Sequence, residues 1–284
     1  MQPTDVSTGA LVVVGVVALL CLIGPVLVQA RWARGRHWLW TSFGLGILTF
    51  AVTQLLTRIP LITSVLPVLP EWRALLSHAV LAALVLGFSA ALFEETGRLI
   101  VMSTVLKRHR RTHADGVAFG LGHGGLEAFV LVGLSLAGVL VLGIMVKMGR
   151  WGALAATMPP DAAAALATQL GGVSVLGAVA GGLERFSAIA LHIALSVLVL
   201  LGIVRGKAGA AWLLAMVIHG GVNFIAVVAL SVLGWPVLAV EGLLLGVAAI
   251  SIAWVIRSRT RFPHPVPPAS AALSDGQSPP PSPR

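Results

Sequence analysis

The chain has 284 residues, of which 57% are hydrophobic and only 10% charged, and its mean hydropathy is +0.97. A soluble globular domain carries about 25% charged residues, so that class is excluded and the solvent of this chain is lipid. The formal charge of +9 does not imply nucleic acid, because the basic residues sit in short clusters between apolar runs, as in the loops of membrane proteins. The single cysteine, Cys21, rules out an intrachain disulfide framework and a cysteine-based metal site.

Apolar runs fall at 9–29, 39–57, 75–106, 116–147, 172–204, 209–233 and 237–256. A span needs about 20 apolar residues, so the pattern predicts an all-α polytopic bundle of seven transmembrane helices, with residues 1–261 as one membrane domain. The first run is followed by Arg31, Arg34 and Arg36 rather than a small-residue cleavage site, and so reads as a first span and not a signal peptide. Three runs exceed the bilayer thickness, which calls for tilt, extension into solvent, or kinks near Gly97 or near Gly181 and Gly182.

Arg31, Arg34 and Arg36, then Lys107, Arg108, Arg110 and Arg111, then Arg205 and Lys207, then Arg257, Arg259 and Arg261 alternate with loops holding only Arg58, Arg73, Lys147 and Arg150. The positive-inside rule then places the N-terminus outside and the C-terminus in the cytoplasm. Segment 148–171 becomes an external loop with room for a short helix. Trp32, Trp38, Trp40, Trp72, Trp151 and Trp235 fit interfacial belts. Residues 262–284 hold eight of the sixteen prolines and are expected to be a disordered tail. No internal repeat is visible, which argues against an inverted-repeat transporter.

Five of the ten acidic residues (Glu94, Glu95, Glu127, Glu184 and Glu241) fall within these spans, with Arg98, Arg185, His78, His123, His192 and His219. His78 and Glu241 lie near the external boundary and can snorkel. A mid-membrane ionisable group costs about 2.5–3.5 kcal/mol, so the other four glutamates and two arginines amount to roughly 15 kcal/mol unless compensated. At about 1.5 Å per residue, Glu94 and Glu95 lie about 18–20 Å from the cytoplasmic boundary, Glu127 about 16 Å, His192 about 20 Å and His219 about 18 Å. Four helices thus bring polar groups to one level. Helical spacing puts His123 with Glu127, His219 with Asn223, Glu94 with Arg98, and Arg185 with His192 on shared faces. Glycines crowd the same places (Gly97, Gly120, Gly122, Gly124, Gly125, Gly181, Gly182, Gly220, Gly221). They serve either close helix packing or room for water and a peptide.

Phe93-Glu94-Glu95-Thr96-Gly97-Arg98, Phe119 through His123 to Glu127, Glu184-Arg185 through His192, and His219 through Asn223 follow one another over residues 90–224. In order and spacing they resemble the YhfC family of intramembrane metalloproteases, grouped with the type II CAAX prenyl proteases, the CPBP proteins and PrsW. The first motif is one residue shorter than the CAAX form, which leaves open whether Glu94 or Glu95 corresponds to its base. The resemblance implies a bacterial cell-membrane endopeptidase acting on a membrane protein or peptide.

Peptide hydrolysis needs an activated water, a base and donors for the oxyanion. With zinc, His192 and His219 plus Glu127 or Glu94 would form a two-histidine, one-carboxylate site that keeps a position for water. Without metal, as the CAAX branch implies, Glu94 assisted by His123 would activate water while His219 and Asn223 hold the oxyanion. Arg98 would orient or neutralise a glutamate in either scheme. Four glutamates against Arg98 and Arg185 leave two positive charges missing, which a divalent cation or two protons would supply. Two other readings explain intramembrane Glu and His: a non-catalytic scaffold similar to the gamma-secretase scaffold subunit, and a proton or metal-ion transporter.

Overall fold

The computed structural model describes residues 6–108 and 111–263; from residue 264 on, the expected Pro/Ser-rich tail lies outside the described residues. Seven helices among them are long and apolar enough to span a membrane: α1 (Thr8–Trp32), α2 (Leu39–Val68), α3 (Ala79–Thr104), α4 (His113–Lys147), α5 (Val175–Val204), α6 (Ala208–Ser231) and α7 (Val237–Arg261). There are no strands among the described residues, and the protein is an all-α, multi-pass membrane bundle. Segment 148–171 contains two short helices, Trp151–Ala155 and Pro160–Gly171. Trp151 is buried with Val6, Leu11 and Leu170.

α5 is the axis of the bundle. Two-thirds (67%) of its most apolar stretch is buried, against 11–33% in the other six, and it touches α1, α3, α4, α6 and α7. A long helix that is apolar over most of its surface is stable in that position. α2 closes the far side by packing on α3 and α4.

The glycines explain how closely these helices approach. A Cβ built on Gly122 of α4 would lie 2.0 Å from Phe43 O of α2, and one on Gly46 of α2 would lie 2.0 Å from Phe119 O of α4. Gly120 meets Ile193 Cα of α5 at 2.4 Å, and Gly220 meets the Phe88 ring at 2.7 Å. Close packing therefore accounts for these positions, whereas Gly181 and Gly221 have nothing within 4 Å. Gly122→Ala is expected to cost about 3 kcal/mol through backbone overlap. Gly44→Ala, where a Cβ meets nothing within 4 Å, should be neutral or stabilising by up to about 1 kcal/mol from helix propensity. Thermal unfolding of the two variants in detergent checks this; equal midpoints would contradict the backbone contact.

Gly97, Gly181 and Gly182, the candidate kink sites, all sit in uninterrupted α-helix. Two of them serve contact: a Cβ on Gly97 would lie 2.3 Å from Thr53 Cγ2, and one on Gly182 3.2 Å from Val17 Cγ1. The irregularities are π-helical turns at Ala51–Arg58 and Leu61–Val65 in α2 and at Phe129–Gly133 in α4. Such turns recur at functional sites. Of the three, Ala51–Arg58 carries Gln54 and Arg58, which join the polar cluster described next, and Phe129–Gly133 begins two residues after Glu127.

Candidate active site

α4 enters the bundle through a capping box. Thr112 Oγ1 accepts from Asp115 N, and the Asp115 carboxylate accepts from Thr112 N at 2.9 Å. Ser42 Oγ of α2 donates to Asp115 Oδ1 at 2.8 Å, tying the two helices together at one end. Two to three turns further on, α4 delivers His123 and Glu127.

The adjacent glutamates of α3 diverge, because consecutive helical residues point about 100° apart. Glu94 faces α2 and α4. Its Oε1 accepts from Gln54 Nε2 at 2.7 Å, and its Oε2 lies 2.8 Å from His123 Nε2. The same Oε2 lies 3.9 Å from His192 Nδ1 and 4.0 Å from His219 Nε2. Glu95 faces α6, with its Oε1 2.9 Å from His219 Nδ1 and its Oε2 paired with Arg98. Glu94, Glu95, Arg98, His123, His192 and His219 are all buried.

His192 has one consistent protonation pattern. A guanidinium only donates, and Arg98 Nη2 lies 3.1 Å from His192 Nδ1. Nδ1 is therefore the acceptor and Nε2 carries the proton, facing Glu127 Oε2 at 2.6 Å. Glu127 is held in turn by Arg185, whose Nη1 donates to Glu127 Oε1 at 2.9 Å and which also pairs with Glu184. Three imidazoles thus converge on one carboxylate oxygen, with the His123 and His192 ring centres 4.8 Å apart and those of His192 and His219 5.1 Å apart.

Of the expected site residues, the structure brings Glu94, Glu95, Arg98, His123, Glu127, His192 and His219 into one network. Asn223, one turn beyond His219, is half-buried against α3, where a Cβ on Gly87 would come within 3.3 Å of Asn223 Cβ; its amide makes no hydrogen bond among the described residues. The tightest set of donor atoms is Glu94, His123 and His192, mutually within 4.8 Å, so His123 joins this set where the sequence pattern pointed to His219. A carboxylate and two imidazoles are a donor set that zinc accepts with a coordination position left for water. The buried His123 Nδ1 has no partner, while its Nε2 faces Glu94 Oε2. The residues fit a divalent metal, on condition that Arg98 releases His192 Nδ1.

Two members of the network escaped the sequence reading. Arg58, placed above in an external loop, lies inside α2 and is 8% exposed. It donates to Gln54 Oε1 at 3.2 Å, Ser89 Oγ at 3.0 Å and Leu86 O at 2.6 Å. The charge count changes accordingly: the Glu184 side chain is 44% exposed, while Glu94, Glu95 and Glu127 stand against Arg58, Arg98 and Arg185. With Glu184, which pairs with Arg185, four glutamates face three arginines, so one positive charge is missing rather than two. Glu241 also differs from expectation, being 6% exposed, with no partner for its Oε2, rather than snorkelling to the surface.

Comparison with known proteins follows the same residues. The sequence profile of the YhfC intramembrane metalloprotease family matches residues 16–244, which contain every residue of this network. The chain belongs to the YhfC family. Within it, the uncharacterized membrane protein YhfC of Bacillus subtilis (strain 168) is 31% identical over 250 residues, covering 87% of this chain and 95% of the relative. No solved structure matches. A YhfC chain built this way is a multi-pass integral membrane protein with a buried Glu/His cluster at its centre.

Proposed function

We propose that the chain is an intramembrane endopeptidase that hydrolyses a peptide bond of a membrane-embedded or membrane-associated polypeptide. The observation that carries this reading is the convergence of His123, His192 and His219 on Glu94 Oε2, a site with acid, base and metal-ligating groups inside a bilayer-spanning bundle. The family's description as intramembrane metalloproteases supports it.

Zinc would be held by Glu94, His123 and His192, and when bound would lower the pKa of a water and polarise the scissile carbonyl. The protein's own groups supply the rest. Glu95 accepts the proton on His219 Nδ1, which leaves Nε2 as a lone pair facing the Glu94 side of the site, 4.0 Å from Oε2. A histidine so oriented takes a proton from water and returns it to the leaving amine. Asn223, which makes no hydrogen bond among the described residues, is the donor for the oxyanion. Glu127 holds His192 through Nε2, Arg185 holds Glu127, and Arg98 holds Glu95. Seven apolar helices keep bulk water from the cluster and strengthen these interactions.

A second, metal-free reading has Glu94 itself as base with His123 as its partner. The direct contact of Glu94 Oε2 with His123 Nε2 at 2.8 Å favours it.

Metal analysis of protein purified without chelators tests the first reading, beside His123→Ala and His192→Ala variants checked for folding by thermal unfolding. Near-stoichiometric zinc, lost at least tenfold in both variants, is the expected result. Metal-free wild type that still cleaves a membrane peptide would transfer the mechanism to Glu94 and His123. Ion flux in proteoliposomes without any cleavage would replace the protease by a transporter, and neither activity would leave the scaffold.

A further inference from the structure

Besides the polar cluster, the bundle carries a long groove of ≈ 1590 Å³, walled by α1 and α7 and floored by α5 and the start of α4. Its floor runs from Val179 to Ile193 on α5, about 21 Å along the helix axis, so it lies parallel to acyl chains over most of one bilayer core of about 30 Å. The volume exceeds the roughly 300–1,000 Å³ of small-molecule pockets. The walls are apolar, with Leu20, Val28, Phe186 and Ile256 among them.

The polar groups of the groove are of one sign. Among the described residues lining it, Arg36, Arg185 and Arg259 are charged and none is acidic. Arg185 is deep and already engaged by Glu127 and Glu184. Arg36 and Arg259 stand at the mouth with Trp32, on the side of the bundle that carries most of the basic residues. The Arg36 guanidinium lies 4.8 Å over the Trp32 ring, which fixes it there. A hollow beside the mouth adds Arg31. The amides at the start of α4, which also face the mouth, are capped by Thr112 and Asp115, so arginine side chains and not the helix end are what the mouth offers an anion.

We propose that this groove is a binding site for an anionic phospholipid, with its acyl chains along α5 between α1 and α7 and its phosphate between Arg36 and Arg259. The inference is independent of the proteolytic reading, since none of these residues belongs to the catalytic network except Arg185. An apolar trough alone would accept any lipid; the two arginines at its mouth select the negatively charged headgroup.

Delipidated full-length protein, titrated with dioleoyl phosphatidylglycerol or dioleoyl phosphatidylcholine and followed by native mass spectrometry, tests the site. One phosphatidylglycerol is expected to be retained at least tenfold more strongly than phosphatidylcholine. An Arg36→Gln, Arg259→Gln double variant should reduce retention to the phosphatidylcholine level, while Arg150→Gln, at the other side of the bundle, should not. Gly24→Phe fills the trough, because a Cβ there meets nothing within 4 Å, and it should displace the lipid with the arginines intact. Equal retention of the two lipids by wild type overturns the proposal. So does a preference that survives the double variant or Gly24→Phe, or a dimer that forms in competition with lipid and so shows a second copy of the chain in the groove.

Discussion

Glu94→Gln abolishes peptide hydrolysis under either mechanism, by at least about a hundredfold on the scale of a lost acid–base group, and does so through its neighbours. Arg58 takes Gln54 Oε1 at 3.2 Å, which commits the Gln54 amide NH2 to Glu94 Oε1 at 2.7 Å. The substituted amide must therefore turn its carbonyl oxygen toward Gln54 and its own NH2 toward His123. At that position stood Oε2, the atom nearest all three imidazoles. An NH2 group neither binds zinc nor accepts a proton from water. The bond to Gln54 survives, so the fold should hold, with a thermal midpoint near that of wild type. Cleavage of a reconstituted membrane peptide, measured beside Glu241→Gln as a buried carboxylate outside the network, checks this. Wild-type turnover in the Glu94 variant would remove the Glu94-centred site from consideration, whatever the metal content.

How much of this was legible in the sequence depends on which physical signal each residue gives. The seven spans were visible because hydropathy is a property of a whole segment, and the depth argument brought Glu94, Glu95, Glu127, His192 and His219 to one level because rise per residue is constant in a helix. What a linear reading lacks is rotation and helix irregularity. The adjacent Glu94 and Glu95 were indistinguishable in sequence; the fold separates them by giving one to His123 and Gln54 and the other to His219 and Arg98. Arg58 was missed because the apolar run ended at residue 57, so a charge at its edge read as a loop, and Gln54 because an uncharged amide inside the run carried no charge to count. Their i,i+4 spacing was the available signal, together with Thr49 and Thr53, which carry the polar stripe back along α2. The glycines were ambiguous for a different reason. Only the facing backbone, such as Phe43 O against Gly122, distinguishes a missing Cβ that permits contact from one that leaves space.

Arg98→Met is expected to be the most destabilising single change at the site. Arg98 is fully buried, pairs with Glu95 and donates to His192 Nδ1. Removing it leaves Glu95, itself fully buried, with His219 as its remaining partner. Breaking a buried pair from one side costs about 3–5 kcal/mol, mostly because the other charge is stranded, whereas removing both charges together is often near neutral. The Glu95→Gln, Arg98→Met double variant should therefore recover more than half of the lost stability, as read from thermal unfolding in detergent. A double variant no more stable than Arg98→Met would show that no charge is stranded and that the methionine fails for reasons of shape. The same pair of proteins separates holding from ligation. Arg98→Met frees His192 Nδ1, so zinc content should persist or rise as stability falls, while His192→Ala loses the metal outright. Loss of zinc in Arg98→Met despite a folded protein would mean that the guanidinium is needed to hold His192 toward Glu94, and that the bond from Arg98 to Nδ1 is part of the working site rather than one the metal replaces.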